Sequence, residues 1–435
     1  MEGRLHGSVR LPLSKSESQR ALMIAAYGPW AAGIGQLEVS KAHDTVLLQA
    51  LLRQVFAADG AGVSDSALDG AGVSSADAVR VDCEDAGTVA RFLLPLLAGR
   101  EGTWLMTGTE RLCQRPMAPL VKALRQLGAD IVCMGEEGML PLRVQGRPLR
   151  GGAVTLDASQ SSQFASALLL AAPQWEQGLT LRLEGPVASK PYLDMTLAMM
   201  QQAGAVVHAG DSSDSMTPGT EPDVITVLPK PYQSYQFDIA PDWSAASYWY
   251  EFAALNAPCQ LLVEGLRPAS LQGDAVVASW YERFGVQTRF EPQGAVLTKV
   301  AVESEPIQFD FSATPDLFPA VMVTCVALHL PAVFTGIRNL SLKESNRVTV
   351  LITELSKLYT FINIVSDDSI ILQESRIKNN DYDAIVVSLD THHDHRIAMA
   401  LAPLKRRFPR LVISHPEVVE KSYPSYWTEI EPFIG

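Results

Sequence analysis

The sequence predicts an α/β protein of two pseudo-symmetric domains, with helices buried inside and sheets outside. Three observations lead there: the length of the chain, a repeated strand–glycine–helix pattern, and a second helix type that is apolar almost all round. At 435 residues the chain is too long for one ordinary core, so two domains are expected. Hydrophobic residues make up 47% and charged residues 19%, a globular rather than disordered or fibrous composition.

The repeat comes first. It is a short strand, a Gly, a polar connector, an apolar-periodic helix and a Gly-containing turn. It reads WLMTGTERLCQRPMAPLVKALRQLGADI from Trp104 and LRLEGPVASKPYLDMTLAMMQQAGAVV from Leu181. LLVEGLRPASLQGDAVVASWYERFGV from Leu261 is a third copy, and VFTGIRNLSLKESNRVTVLITELSKLY from Val333 a fourth. Shorter relatives stand near the ends, LEVSKAHDTVLLQALLRQV from Leu37 and LVISHPEVVEKSYPSYW from Leu411. The landmark glycines are Gly108, Gly185, Gly265 and Gly336. General strand–helix alternation would produce part of this pattern. The matching turns LGA, AGA and FGV favour duplication.

The second helix type alternates with the first: SESQRALMIAAY, AGTVARFLLPLLA, SSQFASALLLAAP, SAASYWYEFAAL, TPDLFPAVMVTCVALHL and DHRIAMALAPL. A helix without a polar face is buried. Most of these open at Ser, Thr, Asp or Gly, residues that cap or permit a helix start.

Net charge is −13 with no long basic run, which disfavours a nucleic-acid partner. The five cysteines are odd in number, scattered and free of any CxxC pair, which argues against a disulfide framework or zinc site and for a reducing compartment. The apolar stretch Ala21 to Ala26 is too short to span a membrane. A cytoplasmic protein, acting as a monomer without membrane or nucleic-acid partners, is the expectation.

Basic residues gather at the helix starts. Lys15 and Arg20 flank SESQ, Arg91 follows AGT, Arg111 and Arg115 precede PMAPL, and Lys190 precedes PYLDM. Lys343 and Arg347 bracket ESN, His395 and Arg396 follow Asp394, and Lys421 precedes SYPSYW. A helix N-terminus already attracts anions, so a cation there adds nothing to helix stability. Each position alone has an ordinary explanation as a solvated charge, a cap or a structural imidazole. Their recurrence at equivalent repeat positions points to ligands carrying several negative charges.

With these motifs in order, the sequence resembles the EPSP synthase family of enolpyruvyl transferases, from about Leu11 to Trp427. SKSESQRA resembles its N-terminal substrate motif (Lys15, Ser16, Arg20), and EDAGTVARF its phosphoenolpyruvate loop (Gly87, Thr88, Arg91). ERLCQRP supplies Arg115, SQSSQF supplies Ser161, Ser162 and Gln163, and SKPYLD supplies Ser189 and Tyr192. TPD gives Asp316, NLSLKESNR gives Asn339, Lys343, Glu344 and Arg347, DHRIAM gives His395 and Arg396, and EKSYPSYW gives Lys421.

The resemblance implies two domains of three βαβαββ-type repeats each, the inside-out α/β barrel architecture of that family. Residues 1–13 with 241–435 would form one domain and residues 14–240 the other, with hinges near Leu13–Ser14 and Ala240–Pro241. The active site would lie in the cleft between them, and closure would exclude water. It implies transfer of the enolpyruvyl group of phosphoenolpyruvate to the 5-hydroxyl of shikimate 3-phosphate, through a tetrahedral intermediate and with release of phosphate. Asp316, Glu344 and Lys15 would handle protons. Phosphoenolpyruvate would be held by Lys15, Gly87, Arg115, Gln163, Arg347, Arg396 and Lys421, Arg being suited to pairing two oxygens at once. Shikimate 3-phosphate would be held by Lys15, Ser16, Arg20, Ser161, Ser162, Gln163, Ser189, Tyr192, Asp316, Asn339 and Lys343. Asp85, Thr88, Arg91 and His395 would support them. No metal or cofactor is implied.

Three positions depart from the family pattern. Asp85 stands where Asn is common, Gln19 where Asn precedes the Arg, and Phe92 where Pro is frequent in some members. Asp85 adds possible negative charge near an anionic substrate. Gly87 retains the small residue associated with glyphosate sensitivity. Two fold relatives fit less well: the transferase acting on UDP-N-acetylglucosamine, since Cys113 lies two residues before Arg115 rather than five, and the RNA 3′-phosphate cyclase, since no basic stripe is present. A non-catalytic anion-binding relative should have lost acid/base groups, whereas Lys15, Asp316, Glu344 and His395 are all here.

Overall fold

The computed structural model describes residues 5–29, 31–58, 78–210, 223–300, 307–358, 360–375 and 386–434. Residues 1–4 of the expected first domain and Tyr359, last in the fourth repeat copy, lie outside the described residues. The chain forms two compact units: Met1–Lys15 with Ser40–His43 and Ile239–Gly435, and Ser16–Val39 with Asp44–Asp238. Leu13 and Pro241 pair in an isolated antiparallel bridge, flanked by Ser14 N–H to Ala240 O at 2.7 Å and Asp242 N–H to Pro12 O at 2.9 Å.

Within the second unit, one sheet runs Val79–Asp82, Gly102–Thr107, Leu142–Gly146, Asp130–Cys133 in spatial order. The first two strands are parallel and the others antiparallel. The buried helix Gly87–Gly99 links the parallel pair, and the amphipathic helix Ala118–Gln126 leads into the hairpin. The second sheet repeats this plan with Gly152–Asp157, Leu179–Glu184, Asp223–Val227 and Val207–Gly210, crossed by helices Ser162–Ala171 and Lys190–Gln202. The remaining copy supplies helices Lys15–Tyr27 and His43–Ala58. Its expected strand at Leu37 is irregular chain; there Ser40 Oγ accepts the Ala42 N–H at 3.2 Å in a turn that enters the next helix.

In the first unit, Leu5–Arg10, Cys259–Glu264, Gly294–Lys299 and Val286–Glu291 form one sheet of the same order. Ile307–Asp310, Ala332–Thr335, Ser369–Ser375 and Thr360–Ser366 form the other. The last copy is short, a parallel pair of Val387–Leu389 and Leu411–Ile413 around helix His395–Leu401. Among the described residues, four of the six copies are therefore complete βαβαββ units.

A local device explains why four of the first strands turn into their buried helices. Asp82, Asp157 and Asp310 end these strands and Asp390 directly follows its own, and each Oδ1 accepts the backbone N–H two residues on, at 3.0, 2.9, 2.9 and 2.6 Å. A short carboxylate that bonds its own backbone mimics a turn. The helices that follow carry no polar face; in Phe318–Ala327 every residue is buried. At roughly 1.5–3 kcal/mol per large apolar side chain, that burial holds the helix more firmly than propensity does. The outer helices end as their LGA-type turns require. Gly128 has φ +94°, and Ala129 N–H reaches back to Leu124 O at 2.9 Å, closing the last turn. No helix among the described residues is long and apolar enough to cross a membrane.

Candidate functional site

Each unit carries one cluster of the expected residues. In the first unit the centre is Arg347, first residue of a helix capped by Asn346 and only 1% exposed. Its Nη1 donates to Asp316 Oδ1 at 2.8 Å, its Nη2 to Glu344 Oε2 at 2.9 Å, and its Nε to Asp394 Oδ2 at 2.9 Å. Arg396 Nη2 donates to the other oxygen of Asp316 at 2.7 Å, and Lys343 Nζ stands 3.6 Å from Asp316 Oδ1. Burial alone would raise the Asp316 pKa, but Arg396, Lys343 and Arg347 hold it well below the usual carboxylate range. Burial lowers the pKa of Lys343 against the opposing pull of Asp316.

Asp394 organises this cluster. Fully buried, it caps helix His395–Leu401 by accepting the Arg396 N–H at 3.0 Å, and it also takes the Ser345 hydroxyl at 3.1 Å. His395 is buried too, and desolvation followed by the charge of Lys15 pushes its pKa well below the ordinary histidine value. A neutral imidazole results. Lys15 is fixed through its backbone, whose N–H donates to Asp242 Oδ2 at 3.1 Å, while Asp242 Oδ1 caps the following helix at Ala245 N–H, 2.8 Å. Lys421 ends the turn Pro416–Lys421 and is buried; Asn339 is half-buried in Arg338–Leu342.

In the second unit Gln163 bridges two motifs. Its Nε2 donates to Thr88 Oγ1 at 2.9 Å, and its Oε1 accepts from Arg91 Nη1 at 2.5 Å. Arg91 Nη2 also donates to Pro116 O at 3.3 Å, with the guanidinium over the Phe164 ring at 5.0 Å. Arg115 is buried with its guanidinium packed against Gly87, where an added Cβ would lie 2.8 Å from Cζ. Ser161 Oγ accepts the Gln163 N–H at 3.2 Å, opening the Ser162–Ala171 helix. Asp85 is half-buried in the turn before Gly87.

Arg20 has a different place. Its Nε donates to Thr196 Oγ1 at 2.7 Å, Nη1 to Ser16 O at 2.9 Å, and Nη2 to Tyr192 O at 2.9 Å. Burial pulls its pKa down to about 10. It joins the Ser16 and Ser189–Tyr192 motifs, and Phe92 lies under it at 5.5 Å, so the unusual Phe has a partner. Ser189 adopts a left-handed φ of +54° just before Lys190.

Sequence reasoning missed Asp394, Asp242 and Thr196 as organisers. The signal for the first two was present: each is an Asp directly before one of the largely apolar helices, the pattern of a capping carboxylate. Among the described residues no three or more His, Cys, Asp or Glu side chains are grouped to hold a metal ion.

A sequence model of the family described as EPSP synthase (3-phosphoshikimate 1-carboxyvinyltransferase) matches residues 1–430. The chain belongs to the EPSP synthase family. Among relatives of the family, the 3-phosphoshikimate 1-carboxyvinyltransferase of Bacteroides fragilis strain YCH46 is 38% identical over 428 residues, 98% of this chain and 95% of that one. The enzyme of the same name from Vibrio cholerae serotype O1 is 30% identical over 432 residues, 97% and 96% of the two chains. EPSP synthase from Acinetobacter baumannii shares the fold, with TM-score 0.68 and 22% identity across 99% of this chain and 96% of that chain. The enolpyruvyl transferase NikO from Streptomyces tendae does so with TM-score 0.64 and 16% identity across 99% and 95%. The EPSP synthase fold thus accounts for the repeated βαβαββ units described above.

Proposed function

We propose that the two clusters serve the carboxyvinyl transfer of the EPSP synthase family, from phosphoenolpyruvate to the 5-hydroxyl of shikimate 3-phosphate in aromatic amino-acid biosynthesis. The observation that carries this is Asp316, a carboxylate bonded to both Arg347 and Arg396 with Lys343 beside it. So held, it is a poor base. An incoming phosphate and carboxylate compete for the same guanidiniums, and as those cations turn to the ligand the basicity of Asp316 rises. Substrate binding therefore arms the base.

Asp316 takes the 5-hydroxyl proton as that oxygen bonds to C2 of phosphoenolpyruvate, and C3 gains a proton from Glu344 or Lys15. The tetrahedral intermediate then loses phosphate and a C3 proton, giving the enolpyruvyl ether. Lys15, Gly87, Arg115, Gln163, Arg347, Arg396 and Lys421 bind phosphoenolpyruvate. Ser16, Arg20, Ser161, Ser162, Ser189, Tyr192, Asn339 and Lys343 bind or frame shikimate 3-phosphate, with Arg20 acting through Tyr192 and Ser16. Thr88, Arg91 and His395 support the ligand groups by hydrogen bonding and packing. The chain acts as a cytoplasmic monomer whose backbone passes from one domain to the other near Leu13–Ser14 and Ala240–Pro241, in keeping with its acidic charge of −13 and scattered cysteines.

The test is phosphate release from phosphoenolpyruvate with either shikimate 3-phosphate or UDP-N-acetylglucosamine, without added metal. Release with shikimate 3-phosphate alone is expected and would show that Asp85 is tolerated. Release only with the sugar nucleotide, or with neither, would overturn the reading.

A further inference from the structure

We propose that Glu354 is a positioning residue for phosphoenolpyruvate binding: from the far end of the helix that Arg347 begins, it holds the strained turn 390–394 and so fixes Asp394, the anchor of Arg347 and Arg396. The inference rests on the reading of those two arginines as phosphoenolpyruvate ligands.

Glu354 is 2% exposed and stands two helical turns after Arg347 in the helix Arg347–Ser356. The two side chains therefore share one face, about 10 Å apart along the axis. Both reach the segment that follows strand Val387–Leu389, one at each end of it. The Asp390 N–H donates to Glu354 Oε2 at 2.8 Å, and Arg347 Nε donates to Asp394 Oδ2 at 2.9 Å. Lys357 Nζ donates to the same Glu354 Oε2 at 2.5 Å and to Ser388 O at 3.2 Å, while His392 Nε2 stands 3.2 Å from Oε1. One helix face thus staples the turn at its opening and at its close.

The turn needs such a hold. His392 and His393 have φ of +47° and +57°, the one consecutive pair of non-glycine residues with left-handed backbone among the described residues. A Cβ resists that region, and backbone so strained persists where its surroundings fix it. Bonds inside the turn shape it: the His392 N–H donates to Asp390 Oδ1 at 2.6 Å and the Asp394 N–H to Thr391 O at 2.9 Å. Glu354 ties its opening residue to the helix. Relaxation of the turn would carry Asp394 with it, and Asp394 accepts from the Arg347 side chain and the Arg396 backbone. His393 also stacks on His415, with ring centroids 4.2 Å apart, directly before the turn Pro416–Lys421. A displaced 390–394 segment therefore disturbs the supports of Arg347, Arg396 and Lys421 together.

The measurement is KM for each substrate, from initial rates of phosphate release. In Glu354→Ala the KM for phosphoenolpyruvate is expected to rise about 10- to 100-fold, as for a binding group displaced by about 1 Å. The KM for shikimate 3-phosphate, most of whose proposed ligands lie in the second unit, should change little. Glu354→Gln keeps an oxygen at the same reach for the Asp390 N–H and should recover most of the loss. Adding His392→Gly to Glu354→Ala should recover part of it, because glycine takes left-handed backbone without strain. A purely structural role would lower Tm without this split between substrates. A wild-type KM for phosphoenolpyruvate in Glu354→Ala overturns the inference, as does an equal rise for both substrates or a Gln variant no better than Ala. If Glu354→Ala fails to fold, Glu354→Asp, one carbon too short to reach, replaces it, and a wild-type KM there overturns the inference instead. Arg396→Gln with wild-type KM for phosphoenolpyruvate would remove the ligand reading beneath it; a raised KM there, with Glu354→Ala at the wild-type value, removes the Glu354 inference alone.

Discussion

Replacing Gly87 by Ala places one methyl group against the guanidinium expected to hold phosphoenolpyruvate. The new Cβ would stand 2.8 Å from Arg115 Cζ and Nη1 and 3.0 Å from Nη2. Non-bonded carbon contacts settle near ~3.5–4.0 Å, so the guanidinium must retreat by about 1 Å. A charge-assisted bond is best at about 2.7–2.9 Å, and a retreat of that size forfeits most of it. Hydrogen bonds to charged groups contribute about 1.5–3 kcal/mol, which is roughly a 10- to 100-fold rise in KM. The backbone is no obstacle, because Gly87 begins a helix and its φ is not left-handed. Ala there gains up to about 1 kcal/mol of helix propensity, so thermal stability should not fall. The assay is initial-rate phosphate release against phosphoenolpyruvate at saturating shikimate 3-phosphate. The KM for shikimate 3-phosphate should change little. A KM for phosphoenolpyruvate within twofold of wild type would refute the placement of Arg115.

Asp316→Asn should lower kcat by about 10²- to 10⁴-fold, the range for a lost general base. Calorimetric titration should still show phosphoenolpyruvate binding at least as tight as wild type, because Arg347 and Arg396 lose a competing anion; weaker binding would contradict the exchange of partners. Arg347→Gln removes the buried cation shared by Asp316, Glu344 and Asp394 and should cost about 3–5 kcal/mol. At about 2–4 °C per kcal/mol for a unit of this size, Tm should drop by about 6–20 °C, and a shift under 2 °C would count against the network. Glu251→Leu should stabilise the chain, and more so at pH 8 than at pH 5. Both carboxylate oxygens of Glu251 are buried without a hydrogen-bond partner, and burial holds its pKa well above the ordinary value. The folded state therefore keeps a proton that the unfolded chain releases above about pH 4.3, so stability falls as pH rises from there. Urea midpoints at the two pH values measure the difference; an equal gain at both would place Glu251 in an ionised state.

The repeats were legible because they rest on local rules. Gly336, one of the landmark glycines, has φ +70°, and a Cβ there would meet Asp310 Oδ1 and Ser312 N at 2.3 Å. No other residue fits such a corner, so the glycine marks the repeat in any context. Helices with no polar face were equally plain, since only an interior accepts them. The recurring strand-end Asp (VRVD, VTLD, IQFD, VSLD) was just as regular and went unread. The strand expected at Leu37 failed because its few apolar residues do not outweigh a Ser that bonds its own turn. Site residues were legible as types at motif positions. Their mutual pairing was not: Arg347 reaches Asp394 across 47 positions and Lys15 reaches Asp242 across 227. No spacing rule encodes such a contact, which exists only once the sheets and helices are packed.

The strand Leu5–Arg10 pairs in parallel with Cys259–Glu264. During synthesis it must therefore wait for a partner that emerges about 250 residues later, roughly 12–50 s at ribosomal rates of about 5–20 residues per second. The intervening stretch carries two complete sheets and their buried helices, with every strand partner close at hand in the chain. The inserted unit can thus finish folding on the ribosome while the first strand is still single. Birth order along the chain and order of assembly are then reversed: a strand made before the inserted unit is paired only after it.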